Sequence, residues 1–405
     1  MSTLQTQSLE RFNLYKGVLD DFLSRLDCLE QGTLEIETNG RLFILNGRVP
    51  GNTARINIRS FAAFIKRIYT KGDIGFAESY MAEEWDTPDL TTLLVLLGEN
   101  RHRFTRLRRA SRLSNLANRI HHWSNRNTRE GSSRNIEAHY DLGNAFYRLW
   151  LDAGMTYSCG LFDSEHDSLE QAQQRKYERI LDLIQPQVGA SVLEIGCGWG
   201  GFAEMAASKQ LNVDGVSLSP AQLEWANRRI QHKGLNDTVE LKLTDYRDLS
   251  GQYDHIVSIE MFEAVGEAYW DEYFSKLNTL LKAEGTAALQ VITIDEEAYE
   301  SYQKKPDFIQ RYIFPGGMLP PASQLKSLAE HHGFKLDEDD CFGLDYAKTL
   351  EKWQINFNQV KEQVLSQGFD PQFIRMWQYY LSYCEAGFLI KRLNLHQILL
   401  RKASY

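Results

Sequence analysis

"VLEIGCGWGG", residues 192–201, places a hydrophobic run directly before four glycines, Gly196, Gly198, Gly200 and Gly201. A buried strand that ends in a tight turn and then opens a helix accounts for that order. Glycine lets the turn adopt φ > 0 and brings bare backbone close to a ligand. The loop carries no Gly-Lys-Ser/Thr, so it is not a phosphate cradle of the P-loop kind. Working outward, strand-like runs recur at "NVDGVSL", "VELKLTD", "YDHIVSIE" and "GTAALQVITI", with helical periodicity between most of them. Alternating β and α segments predict a mostly parallel sheet with helices on both faces. A last run, "LHQILLRK" (395–402), is expected to add an edge strand. Ligands of such sheets sit at the carboxyl ends of the strands, which is where the glycines lie.

The chain has 405 residues, more than one core usually holds, so two domains are expected. Residues 1–100 look like a small α+β unit, with a hairpin around Asn39-Gly40 and helices at "SFAAFIKRIYT" and "DLTTLLVLLG". Residues 135–405 hold the α/β pattern. Between them, residues 101–134 carry ten arginines and one acid, a net +9 that leaves −18 for the rest of a chain of net −9. Leu113, Leu116, Ala117, Ile120 and Trp123 form a stripe at helical spacing inside that basic connector. A helix of that kind lies on an anionic membrane surface or docks on a neighbouring domain; both readings stay open. With one tryptophan as stacking platform, nucleic acid is not expected. Five cysteines without paired spacing point to reduced thiols and a cytoplasmic setting. The first residues lack the pattern of a signal peptide, and no run is long enough to span a membrane. No metal is expected, and a homodimer is left open.

Three details narrow the glycine loop. It is GxGxG, Gly196-Cys197-Gly198-Trp199-Gly200, preceded on the strand by Glu194. Ser217-Leu218-Ser219 stands where many nucleotide-binding folds place a ribose-binding acid. "LKLTDYRDL" ends the third strand with Asp245 and Tyr246, an acid and a ring suited to adenine. The loop resembles motif I of Rossmann-like class I methyltransferases, which bind S-adenosylmethionine. Together with "HYDLGNAFYRLWLDAGMTYSCGLF" (139–162), "TDYRDL", "SIEMFEAVG", "RYIFPGGMLPP" and "FGLDYAKTLEKW", it resembles the cyclopropane-fatty-acyl-phospholipid synthases over roughly residues 135–405. Mycolic acid cyclopropane synthases and some plant alkaloid N-methyltransferases share parts of these motifs.

The resemblance implies methyl transfer from S-adenosylmethionine to the double bond of unsaturated phospholipid acyl chains. A carbocation follows, and a bound bicarbonate takes the proton as the ring closes. Carried onto this chain, the anion-holding and catalytic positions are Cys159, Glu263, Gln290, Ile292 and Tyr346. Cys384 is a further family cysteine, with a packing thiol as its alternative role. The cofactor positions implied are Tyr157, Ser158, Glu194, Gly196, Cys197, Gly198, Gly200, Ser217, Leu218, Gln222, Asp245, Tyr246, Arg247 and Ile259. Peripheral association with the inner face of the membrane is implied as well.

The chain departs from the family at two places. Where the family has His-Thr-Ile, this strand reads "AALQVITIDEE". The simplest register puts Gln290 at the histidine and Ile292 at the isoleucine; a shifted one puts Ile294 there. "FEAVG" has Ala264 in place of a second histidine. Glutamine donates a hydrogen bond to an anion but carries no positive charge. Weaker bicarbonate binding or a different base are the alternatives, and a methyl-branched or methylene product is the alternative to a ring. Outside that chemistry stand a small-amine N-methyltransferase and a non-catalytic lipid-binding protein.

Overall fold

In the computed structural model, residues 17–26, 28–104 and 142–403 are described. The chain divides into two units, Met1–Leu116 and Ala117–Tyr405. In the first, strands β1 (Gln31–Thr38) and β2 (Arg41–Asn46) pair antiparallel across Asn39-Gly40. Both turn residues have positive φ, 51° and 70°, as a two-residue hairpin turn matched to strand twist requires. Strand β3 (Val49–Ile58) runs parallel to β1 and pairs with the short β4 (Trp85–Asp86), giving the order β2-β1-β3-β4. A helical run over 17–26 and helices Phe61–Lys71, Asp73–Met81 and Leu90–Glu99 are further described elements of the unit. Asp89 caps the last of these by accepting from the Thr92 N–H. Of the basic connector, only residues 101–104 are described. Arg103 Nε bonds Glu30 at 2.9 Å and Phe104 is buried, so this start belongs to the first unit. The predicted stripe Leu113–Trp123 lies outside the described residues.

The second unit is built on seven strands: β5 (Ser191–Ile195), β6 (Asn212–Ser217), β7 (Val239–Leu243), β8 (Tyr253–Ile259), β9 (Leu281–Ile294), β10 (Phe334–Cys341) and β11 (Leu393–Lys402). Their order is β10-β11-β9-β8-β5-β6-β7. The pairs β5–β6, β5–β8, β6–β7 and β8–β9 are parallel; β11 is antiparallel to both β9 and β10. The chain order reverses at β5, so the crevice opens beside the glycine loop, as in other doubly wound sheets.

Alternate residues of the central strands feed two cores. Leu193, Ile256, Leu289 and Leu400 face Trp270–Leu280 and Ala322–His331. Val192, Val257, Ala288 and Leu399 face Leu169–Ile184, Gly201–Ser208 and Pro220–His232. The expected α/β sheet with helices on both faces is therefore the observed one.

One expectation is corrected. The terminal strand β11 is not at the edge; β10 covers it. Six of the ten β11 residues are buried in an unbroken run, as suits a strand with neighbours on both sides. The true edge, "FKLDEDDC", is acidic and largely exposed, so it carries no hydrophobic signal, and its charge discourages further pairing.

Candidate active site

The turn after β5 has the backbone that its glycines predicted. Gly196, Gly198 and Gly200 have φ of 88°, 50° and 80°. The N–H groups of Gly196 and Cys197 both donate to the Val216 carbonyl, at 2.9 and 3.0 Å, which ties the turn to β6. Cys197 itself is buried, and burial raises its thiol well above the ordinary range. Glu194, at the end of β5, is buried and has one carboxyl oxygen without a partner among the described residues. Burial pushes its pKa up to about 8, against the pull of Lys176.

The next strand ends supply the other predicted cofactor positions. Ser217 Oγ accepts from the Ser219 N–H at 3.1 Å and lies 3.4 Å from Gln222 Oε1. Leu218 is half-buried in the same loop. Asp245 is engaged locally: its carboxylate takes the Arg247 guanidinium through Nε at 2.9 Å and Nη2 at 2.5 Å. Tyr246 packs on Tyr273, with centroids 5.4 Å apart. Ile259, the last residue of β8, pairs in register with Gln290.

Directly after Ile259 stands a residue that sequence reasoning missed. Glu260 adopts φ of 50°, in the left-handed region. Three donors converge on its carboxylate. Oε1 accepts from the Cys159 N–H at 2.9 Å and from Gln290 Nε2 at 2.7 Å, and Oε2 accepts from the Tyr346 hydroxyl at 2.5 Å. Burial pushes this carboxyl up, while Tyr346, the Cys159 N–H, Lys176 and Gln290 pull it back down.

Glu263, in the turn Phe262–Ala264, stands apart from those donors. Its Oε1 accepts the Ile292 N–H at 2.5 Å, and its Oε2 is buried with no partner among the described residues. Burial first, then the negative charge of Glu260, push its pKa up to about 8, toward the neutral acid. Gln290 faces Glu260 and the Ile292 backbone faces Glu263, whereas Ile294 belongs to the core. Cys384 is not brought in: its thiol is raised by burial and then by Asp307, with no contact to the Glu260 group. Cys159 contributes its backbone; its thiol is fully buried and stays protonated.

Lys176 was also missed. It is fully buried and bonds Ser158 Oγ at 2.6 Å and Gln173 Oε1 at 2.7 Å. Burial lowers its pKa to about 8; Glu260 is the first group opposing that fall. The signal was available in Leu169–Ile184: Ala172, Lys176 and Ile180 share one helical face, so the lysine points where the apolar residues point. The Glu260 signal was its place at a strand's carboxyl end.

Aromatic rings connect the two halves of this region. Trp199 of the glycine loop touches Tyr147 (5.2 Å), which touches Tyr157 (5.3 Å), then Trp353 (5.2 Å), then Tyr346 (6.3 Å), the donor to Glu260. Tyr157 also shares a 2.6 Å hydrogen bond with the Tyr380 hydroxyl.

A model of the family described as mycolic acid cyclopropane synthetase matches residues 127–398. This chain belongs to that family. It is 37% identical over 354 residues to the tuberculostearic acid methyltransferase UfaA1 of Mycobacterium tuberculosis, covering 83% of this chain and 80% of that one. It is 36% identical over 368 residues to the cyclopropane-fatty-acyl-phospholipid synthase of Escherichia coli K12, covering 87% and 88%. Among solved structures, mycolic acid cyclopropane synthase CmaA1 complexed with SAH and CTAB superimposes with a TM-score of 0.63 and 29% identity, over 67% of this chain and 98% of that one. The protein is thus an S-adenosylmethionine-dependent methyltransferase of the cyclopropane synthase family.

The glycine loop fits such a co-substrate, which supplies an electrophilic methyl group on a sulfonium. A Cβ built on Gly198 would meet nothing within 4 Å, so open space lies beside the turn. The unpartnered Glu194 oxygen and the polar groups of Ser217 and Gln222 stand at the neighbouring strand ends. No helix among the described residues is long and apolar enough to cross a membrane.

Proposed function

We propose that the protein methylates the double bond of unsaturated phospholipid acyl chains and closes a cyclopropane ring. The observation that carries this reading is the unbroken row of rings from Trp199 on the glycine loop to Tyr346 on the buried carboxylate. An alkene is a weak nucleophile, so rate comes mainly from holding the π bond against the methyl carbon. The cation then formed on the chain must be kept from water, and aromatic faces stabilise positive charge. Trp150 and Trp353 are each 1% exposed or less, so this wall is dry. An apolar cleft of about 110 Å³, lined by Leu142, Tyr312, Phe373, Met376 and Trp377 among others, reaches the same rings and suits an entering acyl chain.

On this reading Glu194, the turn Gly196–Gly200, Tyr157, Ser158, Ser217, Leu218, Gln222, Tyr246 and Ile259 border the cofactor. Asp245 and Arg247 act there as one neutral pair, because each satisfies the other. A methyl-branched or methylene product that keeps a double bond, formed when a hydride shift and proton loss from the chain replace ring closure, is the second reading, favoured by the 37% identity to a tuberculostearic acid methyltransferase. Incubating the purified protein with S-adenosylmethionine and vesicles of unsaturated phosphatidylglycerol tests the function. Acyl chains heavier by one methylene are expected, and magnetic resonance of the released acids separates ring from branch. Unchanged chains would overturn the proposal.

The basic segment 101–134 is proposed to bring the enzyme to an anionic surface, since each arginine near such a surface adds roughly 1 kcal/mol. Replacing Arg106, Arg108 and Arg109 by alanine should weaken binding to anionic vesicles by about tenfold or more in co-sedimentation. Added salt should imitate that loss. Binding that ignores both changes would remove the electrostatic account.

A further inference from the structure

We propose that the Glu260 carboxylate is the built-in base that accepts the proton lost from the acyl cation, so that no free anion is needed there. The inference rests on the reading just given and adds the identity of the proton acceptor.

Four observations support it. Glu260 directly follows β8, at the carboxyl end of the parallel strands, in the crevice that holds the glycine loop. It is a glutamate at φ of 50°, where a side chain costs about 1–2 kcal/mol that glycine would not pay. Its three donors are the Cys159 N–H, Gln290 and Tyr346, the groups that the sequence resemblance assigned to a bound bicarbonate. Here a side chain of the protein already occupies them. Finally, burial raises the Glu260 carboxyl, and the titratable groups facing it either oppose that rise or stay neutral beside it. Lys176 is the cation, the Cys159 thiol and Tyr346 hydroxyl keep their protons, and Glu263 is pushed up to about 8.

The lone pairs leave room for the step. A carboxylate oxygen accepts about two hydrogen bonds. Oε1 has two among the described residues, whereas Oε2 has one, from Tyr346. In the reaction, the alkene π pair forms the bond to the methyl carbon while the S–CH3 pair leaves with sulfur. A C–H pair next closes either the third ring bond or a new double bond. The released proton goes to Oε2, and Glu260 becomes the neutral acid. It returns the proton to water after product leaves.

The test compares lipid methylation by the wild type, Glu260→Gln and Glu260→Gly, in CO2-free buffer and with added bicarbonate or formate. The wild-type rate is expected to be the same with and without bicarbonate. Glu260→Gln should lose at least about 100-fold, the usual scale for a general base, with S-adenosylmethionine affinity within about threefold. Glu260→Gly relieves the positive φ and so should fold; formate or bicarbonate should restore part of its rate. The wild-type rate should also fall as the pH drops through the Glu260 value. Lys176→Met should move that limb upward by about one pH unit, because losing the cation favours the neutral acid.

A wild-type rate that needs bicarbonate overturns the proposal. So does a Glu260→Gln rate near wild type, or a Glu260→Gly enzyme that binds cofactor yet gains nothing from either anion. An acid limb unmoved in Lys176→Met also overturns it. A wild type that methylates no lipid removes the parent reading and this inference with it.

Discussion

Replacing Gly196 by valine is expected to weaken binding of S-adenosylmethionine by roughly 100-fold. Two costs add. Gly196 sits at φ of 88°, which a β-branched residue tolerates poorly. A Cβ there would also lie 2.9 Å from Met261 Cγ and 3.1 Å from its Cβ, and valine adds two methyls beyond that. The turn cannot simply move away, since the N–H groups of residues 196 and 197 are held by the Val216 carbonyl. Met261 follows Glu260, so any shift it makes reaches the buried carboxylate as well. About 3 kcal/mol of strain at the loop corresponds to a loss of roughly 100-fold in affinity. Calorimetry with S-adenosylmethionine should register that loss, together with a lower melting temperature. Gly198→Ala is the companion variant. Its Cβ meets no protein atom within 4 Å, so stability should fall by only about 1 kcal/mol. If the cofactor fills the space beside that turn, affinity should still drop. Wild-type affinity in Gly196→Val would remove the loop from the cofactor site.

Trp353→Ala should change both stability and product. Trp353 is 1% exposed and packs against Trp150 (5.7 Å), Tyr157 (5.2 Å) and Tyr346 (6.3 Å). Truncating a buried aromatic ring costs about 3–5 kcal/mol, through lost transfer energy and the cavity left behind. That cavity would sit between Tyr157 and the tyrosine that bonds Glu260, a polar neighbourhood able to hold water. On the proposed mechanism, water beside the cation would compete with proton loss. Part of the methylated chains should then carry a hydroxyl group, and total turnover should fall about tenfold or more. Trp353→Phe keeps a ring in place. It also deletes an indole N–H that has no partner among the described residues, so the change should cost less than its volume suggests. Mass spectrometry of the released fatty acids reads the result. A product mixture in Trp353→Ala identical to that of the wild type would show that this ring does not exclude water from the reaction.

Much of the fold was legible because it depends on short-range rules. Gly196, Gly198 and Gly200 announce a turn of positive φ, Asn39-Gly40 announces a hairpin, and apolar spacing delimits Leu169–Ile184. The acidic strand Phe334–Cys341 escaped notice because an exposed edge needs no hydrophobic pattern. For the same reason the hydrophobic pattern alone puts β11 at the edge. Within the site, Cys159, Gln290 and Tyr346 were found through motif resemblance, and the structure brings all three to one carboxylate. Glu263, expected to orient the bound anion, bonds the Ile292 backbone, while Glu260, which no motif signalled, takes the three donors.

By itself the sequence determined local geometry and periodicity: where the chain turns, which faces are apolar, and hence a parallel sheet with a glycine turn at its crevice. Only tertiary structure decided which acid takes the donors. That depends on Cys159, Lys176, Glu260, Gln290 and Tyr346, from five separate segments, meeting out of water. Burial raises every carboxyl in that region, and the convergence of donors and a cation opposes that rise at Glu260. No local pattern encodes such a meeting, because its energy comes from distances that exist only once the sheet and its helices have packed.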